Sequence, residues 1–251
     1  MRRFSAVLQT LYDAVSGMLF VRRCAVCGER ICEGALCEDC FAQLRQALDA
    51  PCPSCGRKTA LCRCTALDGG ALAVYSLLPY RPGQMGAAER ILLARKQRLD
   101  PTVEDLLSEL LSPLCACAIA ENGGGDGEWI ITYPPRSKKK QHEVGHDQSC
   151  EMAKRLSRHT GIPMISCLER MSGSDTAQKT LGAAQRSENA QGSYVLSRRF
   201  QTDLRGKSVV IIDDIATTGA TLAACASMLK EAGAVQVIAL TAAKTVHARV
   251  V

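Results

Sequence analysis

The chain has 251 residues, 47% hydrophobic and 22% charged, so it can bury a core and wholesale disorder is excluded. Aromatic residues make up only 4%, which argues against a broad base-stacking surface for single-stranded nucleic acid. The formal net charge of +6 accommodates an anionic ligand or nucleic acid without demanding either.

Phe4, Leu8, Leu11, Val15 and Met18 recur at helical spacing and predict an amphipathic helix over 4–20 that packs on its own protein. A membrane-surface helix would carry more Lys or Arg on its polar face. Met1-Arg2-Arg3 could open a signal segment, but Gln9 and Asp13 interrupt the apolar stretch after it, and a cysteine block begins at Cys24. No run approaches the roughly 20 apolar residues needed to span a bilayer. These features are those of a reduced, cytoplasmic protein.

Nine of the 14 cysteines lie between Cys24 and Cys64. They read Cys24-x2-Cys27, Cys37-x2-Cys40, Cys52-x2-Cys55 and Cys62-x-Cys64, with Cys32 as the odd member. Thiolates two residues apart can face one tetrahedral ion, and two such pairs close a shell of four. Gly28 and Gly56 follow the second cysteine of two pairs, where a turn around metal is helped by positive φ. Four pairs predict two Zn2+ ions, structural because no coordination position stays open. Sequential pairing gives Cys24, Cys27, Cys37 and Cys40 for one ion, and Cys52, Cys55, Cys62 and Cys64 for the other; interleaved pairing is equally compatible with the spacing. An iron–sulfur cluster is the competing reading, and the ribbon-like repetition favours zinc.

Asp68-Gly69-Gly70 reads as a linker, dividing the chain into a cysteine-rich module over 1–67 and a second part over 71–251. Strands are predicted over 71–78, 129–133, 162–167, 208–212 and 235–240, and helices over 87–95, 103–120, 149–160 and 221–232. Gly161 and Gly233 are the expected helix stops. Residues 122–127 read as a loop. Residues 169–193 are polar and aperiodic, a long loop of the kind that serves as a lid or binding loop. Alternating strands and helices predict an α/β domain with a parallel sheet. Cys115, Cys117, Cys150, Cys167 and Cys225 read as apolar filling.

The strongest signal here is Val209-Val210-Ile211-Ile212-Asp213-Asp214-Ile215-Ala216-Thr217-Thr218-Gly219-Ala220-Thr221. A buried strand delivers two acids to a loop of small and hydroxylic residues, and a helix comes next. Backbone N–H groups and hydroxyls of Thr217 to Thr221, at the positive end of that helix, suit a phosphate. The acids suit sugar hydroxyls or Mg2+, so a sugar phosphate satisfies both halves. The segment lacks the Gly-Lys-Ser/Thr ending of a Walker A loop. Residues 131–160 carry seven Lys/Arg against three Asp/Glu, including Lys138-Lys139-Lys140, and this local charge fits a polyphosphate or a nucleic-acid backbone. His142 and His146 are four apart but lack a third ligand for a metal.

Asp213-Asp214-x-x-Thr217-Thr218-Gly219-x-Thr221 resembles the 5-phosphoribosyl-1-pyrophosphate (PRPP) motif of type I phosphoribosyltransferases. Nearly the whole chain resembles the ComF family, which joins a double zinc ribbon to such a domain. Further resemblances are Tyr133-Pro134-Pro135-Arg136, Gly145-His146-Asp147-Gln148, and the spacing of Arg170, Thr176, Gln178, Leu181, Arg186 and Asn189. Val144 and His146 stand where the family usually has arginine and phenylalanine.

The resemblance implies PRPP binding with Mg2+ and transfer of ribose 5-phosphate to an acceptor. Asp213 and Asp214 would be the catalytic acids at the ribose hydroxyls, and Thr217, Thr218, Gly219, Ala220 and Thr221 would hold the 5-phosphate. Pro135 and Arg136 would form the pyrophosphate loop, and Lys96 would end a helix near the site. The alternative is a non-catalytic accessory factor in DNA uptake during natural competence, its ribbon binding single-stranded DNA or a competence-machinery protein.

Overall fold

The computed structural model describes residues 22–52, 55–62, 72–83, 86–97, 100–123, 127–137, 141–143, 145–171, 193–197 and 204–246. The predicted helix over 4–20, the 68–70 linker, Cys64, Lys138–Lys140, Val144 and the loop motif from Thr176 to Asn189 lie outside them.

Four wholly parallel strands form the main sheet: β1 (Ala73–Tyr80), β2 (Glu128–Thr132), β5 (Lys207–Ala216) and β6 (Gln236–Thr245), in the order β1-β6-β5-β2. Helices α2 (Ala87–Gln97), α3 (Pro101–Glu121), α4 (Gln148–Thr160) and α5 (Ala220–Glu231) complete the α/β part. The β5 run Val209–Ile212 is apolar throughout because helices cover both faces of the sheet. Its side chains alternate: Val210 and Ile212 share one core cluster with Ile91, Leu107, Leu111, Met152 and Leu156 of α2, α3 and α4, while Val209 and Ile211 share another with Leu222, Cys225 and Leu229 of α5.

Local chemistry sets the helix ends. Asp100 caps α3 by accepting from Thr102 N at 2.9 Å, with Pro101 in the first turn. Asp147 caps α4 by accepting from Cys150 N at 3.2 Å, and Gly161 ends it in a left-handed conformation.

Three strands differ from their sequence readings: β5 runs four residues past its expected end at 212, so Asp213 and Asp214 lie within the strand and not in the loop after it. The strand expected over 162–167 makes only a one-residue parallel bridge, Ile131 with Met164, because Pro163 has no N–H to offer and contributes only its carbonyl, to Ile131 N at 2.9 Å. The apolar run then continues into β3 (Leu168–Arg170), which pairs antiparallel with β4 (Tyr194–Leu196). The ends of the predicted long loop over 169–193 are therefore pinned side by side; its residues 172–192 are not described. β6 runs five residues beyond its predicted end, through Ala242-Ala243-Lys244-Thr245.

The cysteine-rich segment contributes α1 (Glu38–Asp49) and a 3-10 turn over Thr59–Leu61. It rests on the sheet rather than standing apart. Leu44 and Ala35 share one core with Tyr75 and Leu77 of β1 and Ile91 and Leu92 of α2. Arg90 donates to Gln43 Oε1 at 2.6 Å across the same seam.

A buried ion pair joins α2 to α3. Arg95 Nε and Nη2 donate to Glu104 Oε1 and Oε2 at 2.6 and 2.9 Å, with the side chains 2% and 0% exposed. Such a fork satisfies both charges at once. Glu104→Gln leaves the guanidinium buried and unpaired, and should lower the unfolding free energy by about 3–5 kcal/mol in urea titration. Replacing both partners with Met and Leu should cost less than that single change. An E104Q protein as stable as wild type would show that the pair does not hold the two helices together.

Candidate functional site

In a wholly parallel sheet every strand ends at the same edge, and in open α/β sheets that carboxyl edge is where ligands sit. Here it gathers Tyr133–Ser137 after β2, Asp213–Gly219 at the end of β5, and the start of α4. The helices after β2 and β5 thus begin beside the same cleft.

The acid pair is held from three sides. Ser149 Oγ donates to Asp213 Oδ1 at 2.8 Å, and Asp214 N donates to the same oxygen at 2.8 Å. Ile215 N donates to Asp214 Oδ1 at 2.7 Å, and Arg136 Nη2 reaches Asp214 Oδ2 at 3.2 Å. Burial, and then the charge of Asp214, push the Asp213 carboxyl up to about 7 against these donors. An acid pair short of positive charge fits Mg2+ or sugar hydroxyls.

Arg136 is itself positioned. Its backbone N donates to Asp147 Oδ2 at 2.8 Å, and its carbonyl accepts from Gln141 Nε2 at 2.9 Å. Asp147 therefore ties the loop after β2 to the start of α4, and Ser149, two residues on, meets Asp213.

Beyond the acids, Gly219 takes φ +76°, a turn that favours glycine, and α5 begins at Ala220. Thr217, Thr218, Gly219, Ala220 and Thr221, with Asp213, Ile215, Ala216 and Leu222, line a cradle of about 40 Å³ at that helix start. A larger cleft of about 350 Å³ is bounded by Pro134, Pro135, Arg136, Ser149, Arg170, Tyr194, Asp213 and Thr221. Asp213 and Thr221 line both, so the cradle and the cleft adjoin. The pinned β3–β4 pair supplies the opposite wall: Arg170 lies over the Tyr194 ring at 5.4 Å and donates to its hydroxyl at 3.1 Å.

The structure thus brings Pro135, Arg136, Asp213 and Thr221 around one cleft; Asp214 lines neither space and meets it only through Arg136. Lys96 lies in the last turn of α2, near the α4 start: Gln148 Nε2 donates to the carbonyl of the preceding residue, Arg95, at 3.3 Å. Ser149 and Tyr194 were not legible as site residues, and Asp147 stood in a motif of the resemblance without a role. Asp147 carried the signal of an N-cap acid ahead of a helix, but the Ser149–Asp213 contact spans 64 positions and leaves no local trace.

The cysteines gather as two groups. The sulfurs of Cys24, Cys27, Cys37 and Cys40 lie within 4.8 Å of one another, as do those of Cys52, Cys55 and Cys62. This is the sequential pairing, with Cys64 outside the described residues. The Cys27–Cys37 and Cys52–Cys62 sulfurs are 3.6 and 3.3 Å apart, near the ~3.8 Å edge of a zinc–thiolate tetrahedron with Zn–S of about 2.3 Å. The two hairpins repeat one design: Cys24 N to Glu29 O and Gly28 N to Cys24 O, then Cys52 N to Arg57 O and Gly56 N to Cys52 O, all 2.7–2.9 Å. Gly28 and Gly56 both take positive φ, as expected. Burial opposes ionisation of Cys24, but backbone donors at Cys27, Cys37 and Val26 outweigh it and bring the thiol down to about 6, while burial and the neighbouring thiols push Cys40 up and Cys37 is also raised, so without a metal one thiol of the group ionises at the expense of the others. Cys32 is exposed and belongs to neither group. These residues fit structural zinc.

The family model described as phosphoribosyl transferase domain matches residues 147–250, from the Asp147 cap to beyond the end of β6. No curated protein matches the chain. Among solved structures, the chain is similar to the glutamine PRPP amidotransferase of B. subtilis at 20% identity and TM-score 0.39, over 62% of this chain and 30% of that one. It is also similar to the phosphoribosylpyrophosphate synthetase of Mycobacterium smegmatis at 17% identity and TM-score 0.34, over 55% of this chain and 33% of that one. A hypoxanthine phosphoribosyltransferase from Staphylococcus aureus is 12% identical, with TM-score 0.35, over 56% of this chain and 73% of that one. The chain thus spans about a third of the length of the first two. The fold is a parallel-sheet α/β fold of the phosphoribosyltransferase type, preceded by a cysteine-rich segment with two clusters that could bind metal.

Elemental analysis should return about two zinc ions per chain, and Cys24→Ser with Cys52→Ser should lose them. Because α1 packs on β1 and α2, chelation should also lower the melting temperature of the α/β part. Iron, or no metal, would overturn the zinc assignment.

The acid pair gives a pH signature. Native Asp213 holds its proton between its ordinary value of 3.8 and about 7, where the unfolded carboxyl has lost it. The unfolded state then binds fewer protons, so the stability of the ligand-free protein should fall as pH rises through that window. Asp213→Asn should flatten this part of the slope; an unchanged slope in urea midpoints against pH would assign it to other groups.

Proposed function

We propose that the α/β part binds PRPP with Mg2+ and transfers its ribose 5-phosphate to an acceptor. The observation that carries this is the adjoining pair of spaces: a small cradle at a helix start beside a cleft walled by Asp213, the Arg136 loop and Tyr194. The 5-phosphate occupies Thr217–Thr221, the ribose hydroxyls face Asp213 and Asp214, and the pyrophosphate lies toward Pro135 and Arg136. On this reading Lys96, which ends a helix, would lie near the site. The acceptor nucleophile forms a bond to the anomeric carbon as the bond from that carbon to the pyrophosphate oxygen breaks. The chain's part is to hold the sugar in line and to place Arg136 where negative charge grows on the leaving group. Asp213 and Asp214 would hold Mg2+, which would supply positive charge to the leaving pyrophosphate.

The order of cysteine clusters and α/β part supports reading the chain as ComF-like, with a zinc module over 1–67 and a phosphoribosyltransferase-like domain over 71–251. On that reading a second role remains for the test: binding PRPP without turnover, as an accessory factor in DNA uptake whose ribbon meets single-stranded DNA or a competence protein. No helix among the described residues is long and apolar enough to cross a membrane.

Calorimetry with PRPP and ribose 5-phosphate, with and without Mg2+, tests the binding reading. Asp213→Asn and Asp214→Asn should each cost roughly 1.5–3 kcal/mol, about tenfold to a hundredfold in PRPP affinity. Thr218 and Thr221 replacements should weaken both ligands alike. Turnover of PRPP with an added base supports the transferase; binding that survives every acceptor unchanged supports the accessory role. A folded wild-type protein that binds neither sugar phosphate would end the proposal.

A further inference from the structure

Tyr194 reaches the mouth of the cradle from the far wall of the cleft. It stands opposite Arg170 in the antiparallel β3–β4 register, and both line the cleft together with Thr221 and Asp213. Its side chain is 5% exposed and shares a core cluster with Leu222 and Cys225, on the face of the sheet that α5 covers. Thr221 lines both the cleft and the cradle, so the phenol beside it stands where the two spaces adjoin.

The phenolic oxygen is held by donors. Arg170 Nη1 donates to it at 3.1 Å, and the Thr221 side chain is a second donor beside it. Burial nevertheless raises this phenol well above its ordinary value, against the pull of Arg170 and Thr221, so the group stays an O–H. A hydroxyl has two acceptor sites and one proton. With Arg170 and Thr221 on the acceptor side, the proton is what Tyr194 has left to give. Among the described residues, the cations lining the cradle and the cleft are Arg136 and Arg170, and Arg136 is engaged by Asp214. An anion in the cradle thus meets backbone and hydroxyl donors from the α5 side, and at the open side a hydroxyl polarised by a guanidinium. We propose that Tyr194, held by Arg170, is a specificity-determining donor to the phosphate monoester in the Thr217–Thr221 cradle. The assignment rests on the sugar-phosphate reading given above and adds a residue to it. Arg170 acts through the phenol, as a positioning residue, and its charge strengthens the hydrogen bond that the phenol gives.

Tyr194→Phe, Arg170→Gln and the double variant in the full chain test this, by thermal melting and by calorimetry with ribose 5-phosphate, PRPP and inorganic pyrophosphate. Y194F keeps the ring and its packing, and should melt close to the wild-type temperature. It should bind ribose 5-phosphate and PRPP about tenfold more weakly, and pyrophosphate as wild type does. R170Q should weaken the same two ligands, and adding it to Y194F should cost little more, because the phenol it acts through is already gone. Ribose 5-phosphate binding by Y194F equal to wild type overturns the assignment. So does a loss confined to PRPP and pyrophosphate, which moves the pair to the leaving group. A Y194F protein that melts well below wild type makes Tyr194 a structural residue and overturns it as well. Fully additive losses in the double variant overturn the role given to Arg170, which then meets the ligand itself. Wild-type protein that binds none of the sugar phosphates overturns the sugar-phosphate reading itself, a result separate from Y194F binding like wild type.

Discussion

The carboxylate of Asp147 is the constraint on which the cleft depends. One oxygen caps α4, and the other holds the backbone of Arg136 at 2.8 Å. Without it, the loop after β2 would have no fixed relation to the helix beyond it. With it, Ser149 and Arg136 reach Asp213 and Asp214 from two directions, and the end of β5 is clamped between them. A cap is worth about 1 kcal/mol to a helix. Here the larger consequence is geometric, because one side chain sets the spacing between two loops that arrive from different strands.

The sheet makes this economy workable. Because its four strands are parallel, every crossover brings a helix start back to one edge, and helix starts offer unpaired N–H groups and a positive end. The opposite edge and both faces are left to packing. The cysteine-rich segment covers part of one face through Leu44 and Ala35. Metal in its clusters would act on the cleft only indirectly, by keeping α1 seated on β1 and α2.

How much of this the sequence disclosed depends on the range of each interaction. The alternation of elements, the helix stop at Gly161 and the left-handed Gly28 and Gly56 were legible, because each is decided within a few residues. So was the acid pair, since a buried run ending in Asp213-Asp214 and a Thr/Gly loop is a local pattern. The pairing of cysteines into groups needed the fold, because Cys24 and Cys37 meet through the hairpin between them. The end of β6 was missed for a different reason: Ala242, Ala243 and Lys244 give no apolar periodicity, and only the neighbours Pro79 and Ala216 keep them in the sheet. The short bridge at Met164 shows the reverse. Ile162–Cys167 looked like a strand, and Pro163 limits what it can pair.

The Arg136–Asp214 pair bears on which ligands the cleft can accept. Both side chains are largely buried, 23% and 17% exposed, so separating them carries a desolvation cost that an exposed pair would not. A neutral sugar offers nothing in return: the arginine would lose its carboxylate and the carboxylate its cation. A ligand that brings a divalent cation and a pyrophosphate together offers both replacements, a metal for the acids and phosphate oxygens for the guanidinium. The same exchange supplies a counter-charge to Asp213, which burial and its neighbour push toward the neutral form. If the cleft takes PRPP as proposed, selectivity for a pyrophosphorylated sugar over the plain sugar then arises from charges the protein already pairs with itself, and needs no additional contact to the ring.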